Sequence, residues 1–327
     1  MFKYLIKKAA GWTLIVFLAT NLTFFLASAF LDPRSNYLGR RPPMTPDQIN
    51  TLLEPYHLSP ETPILERWWS WFTGIMLHWD WGYSPTGASV NDEIGFRIWV
   101  SAQLMLVATL LTIVLGVSVG VYTASRQYQR GDRIWQALSI ISMNIHIVVA
   151  SIIVVAAAIK INDLAGTRVL YVTGASSPDV HGFFPKLIDY AQHLILPTVA
   201  LVVIGYAGYH FMQRSLLLDN INADYVRTAR AKGLTKSQAI RKHALRTSII
   251  PVATSVAFAV PGIFTGAVLT EKIFAWNGMG VYFVETMAKN DIHGAVAVAA
   301  FGAALTGFSA ILADIVVVAL DPRVRVS

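Results

Sequence analysis

Asp224, Tyr225, Arg227, Ala229, Arg230, Lys232, Gly233 and Leu234 fall within one basic stretch, residues 222–251, between two apolar runs. Their spacing is that of a mechanical element rather than of a reaction centre. Asp224 or Asn222 can cap a helix of about two turns, and Gly233 can close it in the left-handed conformation. Thr235 and Gln238 have capping-box spacing for a second helix. Tyr225, Ala229 and Lys232 share a face of the first helix. Ala229 is small enough to let a partner surface come close. The bland alternative is a solvated basic loop that only satisfies the positive-inside rule. Charge alone, however, requires neither the Ala229–Gly233 spacing nor the caps.

Reaction chemistry has few candidates elsewhere. The chain has no Gly-x-x-x-x-Gly-Lys-Ser/Thr, no His-Glu-x-x-His and no Gly-x-Ser-x-Gly. It has no Cys and eight scattered His, so neither a thiol nucleophile nor a metal site is expected. Any ATPase working with this chain must be another polypeptide. The remaining polar candidates lie inside apolar runs, where they are costly and read as functional by default. Asn144 and His146 could line a pathway or form an interhelical hydrogen bond. His210 and Gln213 lie near the inner end of the fourth run. Asp314 reads as structural, paired with a cytoplasmic base. Gly116/Gly120 and Gly262/Gly266 have the spacing of close helix contacts.

The elements that must hold these residues are membrane spans. Hydrophobic residues make up 54% of the 327-residue chain and charged ones 14%, with mean hydropathy +0.51. Six apolar segments stand at about 9–31, 100–124, 135–160, 193–213, 249–270 and 295–319. Each is near the ~20 residues that cross a bilayer core. The third is interrupted by Asn144 and His146, and the fifth by Pro261. With both ends cytoplasmic, 16 of the 26 Lys and Arg lie inside and 14 of the 19 acids lie outside. That asymmetry sets the orientation and leaves a cytoplasmic loop at 214–248. The net charge of +7 is then topological, and nucleic-acid binding is set aside. Lys3, Lys7, Lys8 and Ala27-Ser28-Ala29 have a signal-peptide look, but the apolar run is too long, so 9–31 is expected to be the first span.

One long external segment, 32–98, is rich in Pro and Trp. Residues 61–78 place Ile64, Leu65, Trp68, Trp69, Phe72 and Ile75 on a broad apolar face, as in an amphipathic helix at the outer surface. It is either an aromatic anchor or a docking platform for an extracytoplasmic partner, with Trp68 the contact residue. Glu271 to Gly280 reads as a short external re-entry, with Trp276 at interface depth and Gly278 and Gly280 as hinges, or as a plain interfacial turn. No internal repeat or low-complexity region is seen.

The stretch Asp224-Tyr225-Val226-Arg227-Thr228-Ala229-Arg230-Ala231-Lys232-Gly233-Leu234, followed by His243-Ala244-Leu245-Arg246 and Pro251, resembles the cytoplasmic coupling loop of permease subunits of ATP-driven importers, in the version carried by peptide transporters. Thr247 stands where that family usually has Asn. Further matches are Asp80, Gly82, Tyr83 and Ser84, then His193 to Pro197. The segment Glu271, Phe274, Trp276, Gly278 and Gly280 follows, with Asn277 for the family's Pro and Met279 for its Leu. The closing Asp321-Pro322-Arg323 completes the set. The resemblance covers essentially the whole chain and points to the first permease subunit of oligopeptide or dipeptide importers.

The resemblance implies an all-α integral membrane protein: the six-helix, type I importer permease fold with a long external loop and a cytoplasmic coupling helix. It implies four kinds of partner: a homologous second permease, two cytoplasmic ATPase subunits, an extracytoplasmic peptide-binding protein and membrane lipid. ATP and Mg would be bound by the ATPase subunits and no cofactor by this chain. Transport would proceed by alternating access, with 271–280 near the outer gate and no covalent change to the substrate. A permease for nickel or another small solute shares the same loop. An ion-gradient transporter would show inverted repeats and paired intramembrane acids. An intramembrane hydrolase would need a nucleophile–base pair or a metal motif.

Overall fold

The computed structural model describes residues 2–39, 41–178 and 180–320. The helices are α1 (Phe2–Phe30), α2 (Pro46–Leu53), α3 (Ile64–His78), α4 (Val90–Ser125), α5 (Arg130–Asn144), α6 (Ile147–Ala165) and α7 (Phe183–Ile221). They continue with α8 (Asp224–Ala231), α9 (Lys236–Ala239), α10 (Leu245–Phe258), α11 (Val260–Thr265), α12 (Val268–Ile273), α13 (Met279–Ala288) and α14 (Ile292–Leu320). A π-helical turn, Ile240–Ala244, joins α9 to α10. Among the described residues there is no strand, and one isolated bridge pairs Tyr83 with Ser89.

Among the described residues, six stretches are long and apolar enough to cross a membrane: Tyr4–Phe30, Val90–Ser125, Ile147–Ala165, Phe183–Ile221, Lys236–Ile273 and Ile292–Ala319. Leu14, Leu18 and Leu22 of α1 and Ile152 and Ile153 of α6 are exposed. Helices apolar on the outward face too need an apolar solvent, and their backbones are satisfied internally. The expected all-α, six-span class is therefore the one observed. α4 and α7 outrun their apolar cores. α7, at 39 residues, is about 58 Å long, well beyond the ~30 Å hydrocarbon core.

The third span needs correction. Residues 135–160 are not one helix. α5 ends at Asn144, Ile145 is extended (φ −82°, ψ 124°), and His146 opens α6 as its N-cap. α5 buries Asp132, Ser139 and Ser142 and packs along α7, so it is an amphipathic support helix. α6 alone has the length and composition to span.

The chain divides into two compact units. The first comprises Met1–Ala102, Phe264–Val268 and Asn277–Ile311; the second comprises Gln103–Ile263, Leu269–Trp276 and the chain from Leu312 on. In the first, the segment between α1 and α4 folds onto α1 and α14. Trp71 and Ile75 of α3 pack with Phe24, Ile49, Leu53, Leu58, Ile292 and Val296. The buried stripe of α3 is Arg67, Trp71 and Ile75, rotated from the broad face expected. Trp69 and Trp79 are the exposed indoles of the segment between α1 and α4. Trp68 donates from Nε1 to Asn21 Oδ1 at 2.7 Å and stacks on Phe25 and Phe72. It anchors α3 to α1.

In the second unit, α5, α6 and α10 pack along α7. Gly116 and Gly120 let α4 approach α7 closely. A Cβ on Gly116 would stand 2.5 Å from the Tyr206 carbonyl, and one on Gly120 would stand 2.8 Å from the His210 carbonyl. The second small-residue pair does not behave alike: a Cβ on Gly262 would meet nothing within 4 Å.

Candidate functional site

α8 begins after a bend at Asn222. Its N-cap is Ala223, extended at φ −64° and ψ 151°, with no side-chain cap. Neither Asp224 nor Asn222 caps it. Asp224 is instead the first helical residue, where its carboxylate meets the positive end of the helix dipole. The helix closes as expected. Gly233 has φ +96°. Its N–H donates to Arg230 O at 3.0 Å, and the Leu234 N–H donates to Ala229 O at 3.3 Å. These are the two bonds of a Schellman motif. Thr235 and Gln238 then form a complete capping box for α9.

The packing of α8 corrects the expectation for Ala229. Val226 and Ala229 are buried at 2% and 6% exposure, in a cluster with Ala124, Leu217, Ala239, Ile240 and Ala244 of the same chain. Leu234 packs against that cluster. The close approach that Ala229 permits is to its own helices α4, α7 and α9, not to a partner. Tyr225, Arg227, Arg230 and Lys232 face outward, with Asp224 and Gly233 also exposed. Tyr225 Oη donates to Asn220 Oδ1 at 2.6 Å, which holds the ring against the end of α7. The Arg227–Asp224 pair is long, at 3.9 Å, and solvent-screened.

Above this hairpin, one turn of α7 carries His210, Gln213 and Arg214. His210 is fully buried, with Nε2 3.0 Å from Thr123 Oγ1 of α4 and Nδ1 2.7 Å from Ser139 Oγ of α5. Gln213 donates from Nε2 to Ser248 Oγ of α10 at 3.0 Å. Arg214 makes two bonds to Asp132 of α5, Nε to Oδ1 at 3.0 Å and Nη2 to Oδ2 at 3.2 Å. Asp132 also accepts the Tyr128 N–H and the Gln136 amide. Burial pushes the Asp132 carboxyl up, but these donors and the guanidinium outweigh it and hold it below the usual carboxylate range. The layer ties α4, α5, α7 and α10 into a block directly above α8. Its side chains bond to one another, with Gln213 Oε1 buried and without a hydrogen-bond partner among the described residues, an arrangement suited to transmitting displacement rather than to making bonds. His210 and Gln213 were visible in the sequence. Asp132 and Arg214 were missed, although Asp132 is the one acid among the arginines of the short loop after α4.

Asn144 and His146 are exposed and bond locally. Asn144 Nδ2 donates to Ile140 O at 2.7 Å, and His146 Nδ1 accepts the Val148 N–H at 3.3 Å. Neither of these bonds joins two spans. At the other end of the second unit, Glu271 is fully buried, and its carbonyl accepts the Trp276 N–H at 2.7 Å. Trp276 is 1% exposed, with its ring 5.3 Å from that of Tyr190. A buried indole offers no surface to a partner. Gly278 (φ −93°) is the N-cap of α13, and Gly280 lies within α13. Neither carries the positive φ of a glycine hinge; Ala275, at φ +52°, is the left-handed residue there. Among the described residues no group of three His, Asp or Glu could hold a metal. The Asp321-Pro322-Arg323 motif lies outside the described residues.

Residues 113–326 match the family of binding-protein-dependent transport system inner membrane components. The chain is 37% identical, over all of both chains, to the oligopeptide transport system permease protein OppB of Mycobacterium tuberculosis. It is 31% identical to the dipeptide transport system permease protein DppB of Lactococcus lactis, over 99% of this chain and all of that one. It is 28% identical to OppB of Salmonella typhimurium, over the same shares. The chain belongs to this family: it is a multi-pass membrane permease subunit with the type I importer fold, one part of a larger transporter, and not an enzyme.

Proposed function

We propose that this subunit carries oligopeptides or dipeptides into the cell by alternating access, driven by ATP hydrolysis on separate subunits. The relatives named for peptide transport match end to end, which favours peptides over nickel or another small solute. In this reading both termini and the 214–248 loop are cytoplasmic, and 32–98 is external, as the charge asymmetry requires. A homologous second permease, two ATPase subunits that bind ATP and Mg, and an extracytoplasmic peptide-binding protein complete the assembly.

The observation that carries the reading is α8. One face is bonded and packed into its own chain through Val226, Ala229 and Leu234, and the other presents Tyr225, Arg227, Arg230 and Lys232 outward. A helix built this way can seat on an ATPase surface and pass its motion to the His210–Arg214 layer. Asn144 and His146, exposed at the α5–α6 break, stand as pathway candidates. At the outer side Trp69 and Trp79 present the aromatic surface suited to the binding protein. In this reading Glu271 and Trp276, both buried, are the residues of the 271–280 turn that support the outer gate.

The test is the full complex in proteoliposomes, with uptake of a labelled peptide and of nickel measured beside ATP hydrolysis. Tyr225→Asp with Arg230→Glu should leave the chain inserted and abolish peptide uptake. Peptide uptake unaffected by that double change, or nickel uptake in place of peptide uptake, would overturn the reading.

A further inference from the structure

The loop between α6 and α7 is held to its neighbours by a defined set of hydrogen bonds. Gly166 (φ +64°) ends α6, Gly174 (φ +84°) stands at mid-loop and Gly182 (φ +94°) precedes α7. Between them the backbone is clamped twice. Asn162 of α6 folds its side chain onto the loop: Oδ1 accepts the N–H groups of Val169 and Leu170, both at 2.9 Å, and Nδ2 donates to Leu170 O at 2.8 Å. At the far end Asp189 Oδ2 accepts the Ser177 N–H at 2.7 Å. Asp189 is 4% exposed, and the Asp189 carbonyl lies 2.8 Å from Nδ1 of His193, whose ring contacts Tyr171 at 4.3 Å.

What the clamps present is specific. The Gly174 N–H donates to Phe274 O at 2.9 Å. Leu170 and Val172 pack with Ile273 against the cluster of Phe274, Ala158, Leu196 and Ala200. Tyr190, one residue beyond the Asp189 clamp, contacts Trp276. The segment they meet caps α12, with the Phe274 N–H donating to Thr270 O at 3.0 Å and the Trp276 N–H to Glu271 O at 2.7 Å. α12 stops at Ile273, and Ala275 sits at φ +52°. A left-handed non-glycine residue persists only where its surroundings fix it.

We propose that residues 166–178 are a positioning strap, with Asn162 and Asp189 as positioning residues that set Phe274 and Trp276 in place through Gly174, Leu170 and Val172. The link to transport rests on reading 271–280 as part of the outer gate; the positioning itself does not. Among the described residues the Asn162 side chain bonds to the strap and not to 270–276, so its effect there must travel through the strap.

The experiment uses the whole complex in nanodiscs and measures hydrogen exchange in peptides covering 166–178 and 270–278, with peptide uptake assayed in parallel. Asn162→Ala should raise exchange at least several-fold in both segments. Asn162→Asp keeps the acceptor for two amides and should be milder. Leu170→Ala, which leaves the clamp intact, should loosen 270–278 by the packing route and serves if Asn162→Ala does not fold. Faster exchange confined to 166–178, or no change in either segment, overturns the strap. Faster exchange in both segments with unchanged uptake supports the strap and sinks the gate reading instead.

Discussion

Arg214 closes on Asp132 through two parallel bonds, and together with the His210–Ser139 pair this contact ties the support helix α5 to the C-terminal part of α7. Asp132 has 1% side-chain exposure. Removing one partner leaves a buried charge or an orphaned guanidinium, so Asp132→Ala and Arg214→Ala should each cost ~3–5 kcal/mol. Because the folded-state value of Asp132 lies below its unfolded one, the stabilisation is present at neutral pH. It is lost as pH falls through the folded-state value. Thermal unfolding in detergent should therefore show a steeper acid loss for the parent than for Asp132→Asn. Parallel acid limbs would contradict the assignment.

Asp291 has the opposite sign. It is 2% exposed, beside the first turn of α14, and its Oδ1 accepts the Gly294 N–H at 2.9 Å. Burial pushes its carboxyl up to about 6, against the pull of that amide and Lys289 and with a further push from Glu93. A raised acid contributes stability that is full below about 4 and is lost as pH rises through about 6. Its ionisation at neutral pH costs on the order of 2–3 kcal/mol. Asp291→Asn should keep the acceptor for Gly294, raise the melting temperature at pH 7.5 and flatten the profile between pH 4 and 7. A variant less stable than the parent at pH 7.5 would refute this.

Gly116 and Gly262 share a sequence spacing but not a fate. Gly116→Ala drives a Cβ against the Tyr206 carbonyl and Tyr209 Cβ, at 2.5 and 2.6 Å, and should cost ~1–3 kcal/mol. Gly262→Ala meets open space within α11 and should be neutral or gain up to ~1 kcal/mol from helix propensity. Comparing the two melting temperatures in one detergent decides the matter, and equal shifts would count against the packing described.

At Gly233 the penalty is conformational alone, since no atom lies within 4 Å of an added Cβ. Gly233→Val should therefore cost ~1–2 kcal/mol through φ. Ala229→Leu should overpack the cluster beneath α8 by a similar ~1–3 kcal/mol. Both variants should insert, lose peptide uptake and keep futile ATP hydrolysis, while Arg227→Ala should lose less than half of uptake. Uptake per ATP in proteoliposomes checks this, with full coupling in Gly233→Val as the contrary result.

Much of this was legible in the sequence because it is local. Gly233, the Thr235–Gln238 box and the six apolar runs each state their geometry within a few residues. What was not legible depends on neighbours far along the chain. Ala229 reads as a free small face until α4 and α7 are seen to cover it. Trp276 reads as an interfacial anchor until Tyr190 is seen beside it. The break at Ile145 was signalled by polar residues, but hydropathy cannot tell a kinked span from a support helix followed by a span. Asp132 and Arg214 stand 82 positions apart, and only the packing of α5 along α7 makes them a pair.

The π-helical turn at Ile240–Ala244 sets an angle. It holds one residue more than an α-turn, so every side chain after Ala244 is offset in phase from those of α9 by one helical step. That step is about 100°. With the offset, Ser248 and Val252 point inward and Ser248 meets Gln213. Deleting any one residue of 240–244 would leave a continuous, fully bonded helix with the wrong face turned inward. The hairpin below and the span above are thus joined by an angular setting as well as by contacts, and the turn is where that setting is written into the chain.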